Sequence, residues 1–486
     1  MMIAEHQALA DAGARLVEYR IDWLKTPPNI SRLLEKRPTP IVMTCRRRED
    51  HGRWNGTEEQ RQTLIRSAIV AGVEFIDIEM DIAKAIPRYG KTRRIISYHN
   101  FDETPADLEK IYEEMLKLDG DIVKIVTMAN SAADGVRMMK LLQSAPKPTV
   151  AFCMGEFGLF TRILCGRFGS PYSYASFSSE RELAPGQVSF KDMVEVYHYD
   201  DIKKDTKMFG VIGDPISHSL SPLLHNTTFH QEGFKGIYVP LRIQQDQLAT
   251  CITGLKEIGF EGFSVTIPHK ENVISQAHHA DERVKESGAA NTLFKATSGA
   301  WVAANTDLEA AMQTIRAGMK TPTGEQISLE GKRILILGAG GVARAIALGL
   351  MQAGAVVTLT NRTRKRGEEL AVQLKCAHIT WENRGAEFYD VLVNCTPIGM
   401  HPNVDASPMR DNWLREGALV FDTIYTPENT LLIKQARERE CRVASGLEMF
   451  VRQAAAQYEC FTQTVAPLEK MRKTLRQAIS PVKLEN

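Results

Sequence analysis

A lysine stands in the middle of DIVKIVTM, where Lys124 is flanked by Ile122, Val123, Ile125 and Val126. Such β-branched neighbours mark a strand, and an ammonium among them is costly to desolvate unless its charge is paired or used. Three readings fit: a rim lysine reaching to water, a phosphate-binding lysine, or an imine-forming nucleophile. No glycine-rich anion loop accompanies Lys124, which weakens the second. The third requires the neutral amine, scarce at neutral pH for an ordinary lysine of pKa ~10.4; desolvation and cations such as Arg20 and Arg46 favour it. Imine chemistry also requires a general acid and base, and His99 in IISYHN is of the right type.

A second chemistry is written in LILGAGGVARA, where an apolar strand runs into Gly338, Ala339, Gly340, Gly341 and Ala343, spaced as GxGxxA, and then into a helix. Glycines there allow a tight turn and close backbone approach, and the helix N-terminus meets a pyrophosphate. The next strand, AVVTLT, ends in NRTRKR. An NAD site would offer an acid for the ribose hydroxyls; Asn361, Arg362, Thr363 and Arg366 instead favour a 2′-phosphate, hence NADP(H). Upstream lie Ser219 and Ser221 in VIGDPISHSLSP, Thr266 and Lys270 in FSVTIPHKE, Asn291 in GAANT and Asp307 in ANTD. Alone, the serines read as a helix cap and the Lys/Asp pair as a surface ion pair; together, beside a dinucleotide motif, they read as a polar substrate site.

The elements that must position these residues follow from periodicity. Up to about Tyr199, short apolar strands alternate with helical segments: RLVEYRID, IVMTCR, FIDIEM, IISYHN, DIVKIVTM, TVAFCMG and YSYASF. This alternation predicts a parallel sheet, either a barrel or a doubly wound sheet. Glu18 and Arg20 share one face of their strand, as do Thr44 and Arg46, Asp77 and Glu79, and Ser97 and His99. Doubly wound sheets are apolar on both faces, whereas one polar face in strand after strand predicts a barrel with a functional centre. Residues 198–207, HYDDIKKDTK, are short and polar and predict a linker, after which a new β/α pattern begins.

The 486 residues predict two or three domains, with 60 basic and 59 acidic residues giving a net charge of +1. That balance argues against nucleic acid or a membrane as the main partner. Eight cysteines without CxxC or Cys/His spacing indicate neither a disulfide scaffold nor a metal site. With no apolar signal core and no run of ~20 apolar residues, a cytoplasmic protein acting on small molecules is expected.

EYRID, TCRRRED, SYHNFDETP, DIVKIV, AFCMGEFGLFTR and APGQ, in this order, resemble type I 3-dehydroquinate dehydratase across nearly all of residues 1–198. The resemblance implies a (β/α)8 barrel that dehydrates 3-dehydroquinate through a Schiff base on Lys124, with His99 as acid and base. It implies substrate-binding roles for Glu18, Arg20, Arg46, Asp50, Arg162 and Gln187, with Arg162 on the carboxylate. Two departures stand out. The family usually has Glu and two glycines where this chain has Asp50, His51 and Gly52, and many members have Ser or Thr where this chain has Leu183. One lid hydrogen bond is therefore expected to be missing. The family's first strand precedes the opening helix, and EYRID lies on its second; the first strand is thus expected to be missing here, with the true start upstream and a vacant position beside residues 16–22.

Residues 208–480 resemble shikimate dehydrogenase, with NCTPIGM, DTIYTP and GLEMFVRQ completing the pattern. This resemblance implies a substrate domain at 208–308, a Rossmann-like NADP domain at 309–445 and a return of 446–486 to the substrate domain, with 199–207 as linker. Ser219, Ser221, Thr266, Asn291, Asp307, Tyr425 and Gln453 would bind substrate, Lys270 and Asp307 would form an acid/base dyad, and Gly446 and Met449 would lie beside the nicotinamide. The two halves agree on chemistry, dehydration followed by NADPH-dependent reduction to shikimate. A quinate-pathway regulator resembling the same domains should have lost Lys124, His99, Lys270 and Asp307, and all four are present. An enzyme acting mainly on quinate with NAD, with an impaired dehydratase half, fits the paired serines and Arg362 less well.

Overall fold

The computed structural model describes residues 2–26, 28–177, 186–321 and 323–479. Strands β1 (Val17–Arg20), β2 (Ile41–Thr44), β3 (Phe75–Glu79), β4 (Arg93–Asn100), β5 (Ile122–Met128) and β6 (Thr149–Met154) form one sheet in sequential order. Every neighbouring pair is parallel, and helices such as Glu58–Val70, Leu108–Leu116 and Ala132–Gln143 lie between the strands in the chain. Parallel neighbours in sequential order, joined through helical segments except between β3 and β4, make the wall of a β/α barrel. Local chemistry supports the crossovers: Thr57 and Gln60 form a reciprocal capping box at the start of Glu58–Val70.

Among the described residues, β1 pairs only with β2. Its other edge borders a cavity of about 1350 Å³ lined by both β1 and residues 171–177. An unpaired edge beside residues 16–22 is what the strand count predicted. One expectation fails. YSYASF, the seventh candidate, forms no strand and keeps a single parallel bridge, Ser176 to Ser189. Side chains take its carbonyls instead: Ser170 Oγ donates to Tyr172 O at 2.7 Å and Arg162 Nη1 to Tyr174 O at 3.2 Å. Strand composition does not make a strand where the ladder partner is replaced.

Strands β7 (Lys207–Gly213), β8 (Gly236–Arg242), β9 (Phe260–Val265), β10 (His279–Ala280), β11 (Thr292–Lys295) and β12 (Trp301–Ala304) form a second, mixed sheet in the order β10-β12-β11-β9-β7-β8. A third sheet contains β13 (Arg333–Leu337), β14 (Val356–Thr360), β15 (Ala377–His378), β16 (Val391–Asn394), β17 (Leu419–Asp422) and β18 (Arg442–Ser445). Its order, β15-β14-β13-β16-β17-β18, is that of a doubly wound dinucleotide fold, with the first strand at the switch point. Ile334, Ile336, Val391 and Val393 pack into one core and Leu335, Leu337 and Leu392 into another, so its central strands are apolar on both faces.

The chain divides into two compact units. One comprises residues up to Met208 with Gly213–Ser219 and Lys235–Phe260; the other comprises Phe209–Ile212, Leu220–Phe234 and residues from Glu261 on. Within the second, the helix Gly446–Thr462 carries Phe461, which stacks on Phe209 at 5.0 Å. Gly262 admits this packing, since a Cβ there would lie 2.6 Å from the Phe461 ring.

Two candidate active sites

Much of the polar face of the barrel wall is buried, with Glu18, Arg20 and His99 half-buried at the pocket. Arg46, Asp77, Glu79, Ser97, Lys124 and Arg162 are all buried, and buried charges persist only when paired. Arg46 donates to Asp77 Oδ1 and Glu79 Oε1, both at 2.8 Å, and to Ser97 Oγ at 3.2 Å. Lys124 Nζ donates to Asp77 Oδ2 at 3.0 Å, lies 3.9 Å from Glu18 and sits 4.2 Å from the centroid of the Tyr174 ring. Register explains the convergence, because Ser97 pairs with both Glu79 and Lys124 across adjacent strands. Arg61 adds a cation from helix Glu58–Val70, donating to Cys45 O at 2.7 Å and Glu79 Oε2 at 2.8 Å.

One pocket gathers the residues expected of the dehydratase: Glu18, Arg20, Arg46, Asp50, His99, Lys124, Arg162 and Gln187 all line it. Burial, with Arg46 and Lys124 nearby, holds the His99 imidazole well below its ordinary pKa, so it is neutral and able to accept a proton. Burial opposes the charge on Asp77, but Arg46 and Lys124 outweigh it and hold the carboxyl well below the usual range. The pocket thus offers a lysine hydrogen-bonded to a carboxylate, a neutral imidazole and guanidinium groups suited to an anionic substrate. Asp50 reaches the pocket wall with its carboxylate engaged by Arg47 Nε at 2.5 Å. Leu183 lies outside the described residues.

The second site is built from loop and helix-end residues. Thr266 and Lys270 follow β9, in a turn where the His269 amide donates to Thr266 O at 2.9 Å. Lys270 Nζ donates to Asp307 Oδ2 at 2.5 Å. Asp307 sits in the first turn of helix Thr306–Gly318, which Asn305 caps by accepting from the Asp307 and Leu308 amides. Asn291 Nδ2 donates to Thr306 Oγ1 at 2.9 Å and to Gln453 Oε1 at 3.4 Å. Helix Gly446–Thr462 places Gly446, Met449, Gln453 and Gln457 along one stripe. A Cβ at Gly446 would meet Thr423 O and Ile424 O at 2.4 Å, so only glycine lets the helix start against the segment that leads to Tyr425. Tyr425 stacks on Phe450 at 4.7 Å. Ser221 is buried at the start of helix Ser221–Gln231, while Ser219, two residues earlier, belongs to the first unit.

The dinucleotide motif fits a pyrophosphate. Gly338 has φ +115°, and a Cβ there would lie 3.0 Å from Cys395 O, whereas Gly340 and Gly341 face open space. Helix Gly341–Gln352 begins with no side-chain cap, which leaves its first amides for an anion. After β14, Asn361 Nδ2 braces the loop by donating to Thr363 O at 2.8 Å. Arg364 is paired with Glu368 at 2.7 Å, while Arg362 and Arg366 make no ion pair among the described residues. These cations suit a 2′-phosphate.

The sequence alone assigns no role to Asp77 or Arg61, although alternation puts Asp77 on the same strand face as Glu79. Nor does it mark Gln457, which accepts from Ser264 Oγ at 2.8 Å and donates to Asn291 O at 3.1 Å. Its only local signal is the four-residue spacing from Gln453.

Comparison with known proteins covers both halves of the chain. The family model for type I 3-dehydroquinase matches residues 1–204, that for the shikimate dehydrogenase substrate binding domain 211–293, shikimate/quinate 5-dehydrogenase 322–411, and the shikimate 5′-dehydrogenase C-terminal domain 446–476. The chloroplastic bifunctional 3-dehydroquinate dehydratase/shikimate dehydrogenase of Arabidopsis thaliana is 38% identical over 490 residues, covering 96% of this chain and 81% of that protein. Shikimate dehydrogenase (NADP(+)) of Methanosarcina mazei is 36% identical over 283 residues, covering 56% of this chain and 99% of its own. A crystal structure of shikimate 5-dehydrogenase from Thermus thermophilus, in complex with NADP(H) and shikimate, aligns with TM-score 0.50 at 28% identity, covering 56% of this chain and 99% of that one. With a buried, carboxylate-paired lysine in its N-terminal half and a dinucleotide fold in its C-terminal half, the chain belongs to the family of bifunctional 3-dehydroquinate dehydratase/shikimate dehydrogenases.

Proposed function

We propose that the two sites act in series, the first dehydrating 3-dehydroquinate to 3-dehydroshikimate and the second reducing that ketone to shikimate with NADPH. In the first, Lys124 in its neutral form attacks the ring ketone, water leaves, and an imine links Nζ to the ring. Neutral His99 takes the acidified ring proton and returns it to the departing hydroxyl, and water then hydrolyses the imine to free Lys124. Asp77 anchors the lysine, and Arg162 receives the substrate carboxylate. The observation that carries this reading is Lys124 Nζ 3.0 Å from Asp77 Oδ2 in the same pocket as His99.

In the second site, bound NADPH supplies the hydride. Lys270, hydrogen-bonded to Asp307, donates a proton to the ketone oxygen as charge develops there. Asn291, Thr266, Ser221, Gln453 and Tyr425 bind the ring and its carboxylate, and Gly338 to Ala343 with Arg362 and Arg366 hold the cofactor. The domain limits 1–198, 208–308 and 309–445, with 446–486 returning, are part of this proposal. Among the described residues no helix is long and apolar enough to cross a membrane. All eight cysteines are free, which suits a reducing compartment such as the cytoplasm. A coupled assay tests the whole: 3-dehydroquinate with NADPH should give shikimate and oxidised cofactor, and failure to consume NADPH would overturn the series.

A further inference from the structure

The turn that leaves β2 holds a residue in an unusual backbone state. His51 closes the short turn Arg48–Asp50 with φ 57° and ψ 24°, a left-handed conformation uncommon for residues other than glycine, although histidine, like asparagine and aspartate, enters it more readily than most. The turn is held on several sides. Arg47 Nε binds Asp50 at 2.5 Å and its Nη1 binds Asp81 at 2.6 Å, the Gly52 amide donates to Arg47 O at 2.8 Å, and the Arg53 amide donates to Asp22 Oδ2 at 3.0 Å. Gly52 packs so closely that a Cβ would lie 2.0 Å from Arg46 O. Such a conformation also closes ordinary helices here, at Lys375 and Gln463, but at His51 it is held by its surroundings at the rim of a polar pocket, where ligand-contacting positions gather.

The side chain so held points to use. His51 lines the pocket that contains Lys124 and His99, yet the residue is solvent-exposed, which places it at the mouth. It stacks on Phe101 at 4.2 Å, and Phe101 stacks on His99 at 6.0 Å. Stacking fixes the plane of the imidazole, and its ring nitrogens make no hydrogen bond to a described residue. An oriented, unengaged donor at the mouth of a polar pocket is suited to an oxygen of a ligand below it.

We infer that His51 is a substrate-contact residue of the dehydratase, donating a ring N–H from the pocket mouth to an oxygen of the bound hydroxylated ring acid. The inference rests on the proposed function of this pocket. The backbone state supplies a clean test, because glycine and asparagine both tolerate it and differ in whether they carry a donor. In the full chain, His51→Gly should raise KM for 3-dehydroquinate about three- to tenfold, the worth of one hydrogen bond, with kcat within about twofold and an unfolding midpoint no lower than wild type. His51→Asn should recover most of the lost affinity. Oxidation of shikimate with NADP, measured on the same samples, monitors the other half. An unchanged KM in His51→Gly overturns the inference, and so does a His51→Asn enzyme as weak as His51→Gly, since a donor would then not matter. If the wild type fails to dehydrate 3-dehydroquinate, the proposed function falls first, and the two failures remain distinguishable.

Discussion

The two candidate sites differ in what carries them. In the barrel, charged side chains ride on adjacent strands of one sheet, and Lys124, Asp77 and Arg46 are each at most 5% exposed. In the dehydrogenase half, Lys270 and Asp307 sit on a loop and a helix start, with side chains 22% and 13% exposed. A strand-borne network is cross-linked before substrate arrives, and removing one charge strands its partners without water. A dyad at loop and helix ends keeps access to solvent, so its loss should touch chemistry more than stability. The same contrast appears in two histidines of lowered pKa. Neutral His99 faces the barrel pocket, whereas His225, pushed down to about 3 chiefly by burial, packs between Phe229 and Phe461.

This comparison can be broken at several points. The largest effect is expected for Lys124→Ala, which should reduce dehydration to background and abolish borohydride trapping of substrate on the protein, while shikimate oxidation continues. Continued dehydration would remove the barrel from the argument. Lys270→Ala should lower dehydrogenase kcat on the order of 10²–10⁴-fold but shift unfolding by no more than about 1 kcal/mol; a large stability loss would erase the distinction between the sites. Asp77→Asn should cost stability as well as dehydration. It leaves Arg46 and Lys124 buried without their shared anion, at a cost of about 3–5 kcal/mol by denaturant unfolding. A cost near zero would mean that water reaches the network. Arg362→Ala should weaken NADPH roughly 10- to 100-fold more than NADH in kcat/KM, since a charge-assisted hydrogen bond is worth about 1.5–3 kcal/mol. Equal losses would exclude Arg362 from phosphate recognition.

The smallest expected effect is a slope in pH. A histidine whose folded pKa is depressed stabilises the fold fully above its unfolded value near ~6.5 and progressively less as pH falls towards the folded value. For His225 the window runs from ~6.5 down to about 3, at about 1.4 kcal/mol per pH unit. His225→Gln should therefore flatten the acid side of the stability curve of the dehydrogenase half, read by unfolding midpoints between pH 6.5 and 4.5. An unchanged slope would show that this imidazole is not the group that charges on unfolding.

Much of this was legible in the chain itself, because it depends on local period. Alternation along single strands placed Glu18, Arg20, Arg46, His99 and Lys124 on inward faces, and one pocket holds them all. A strand, two glycines and a helix fixed the dinucleotide cradle, since a turn's geometry is set by the few residues within it. Partners were not legible, because pairing depends on which strands become neighbours and in what register. Sequence surrounded Lys124 with cations, whereas the fold brought Asp77, 47 positions away, to 3.0 Å from its nitrogen. Sequence gave YSYASF a strand's composition, but a strand needs a ladder, and side chains occupied its carbonyls. Arg61 carries no local signal of a role, and only the packing of its helix brings it to Cys45 and Glu79. Residue type and local period determine which chemistry a chain can offer; only the tertiary structure decides which groups share a site, because burial and proximity are set by packing between segments distant in the chain.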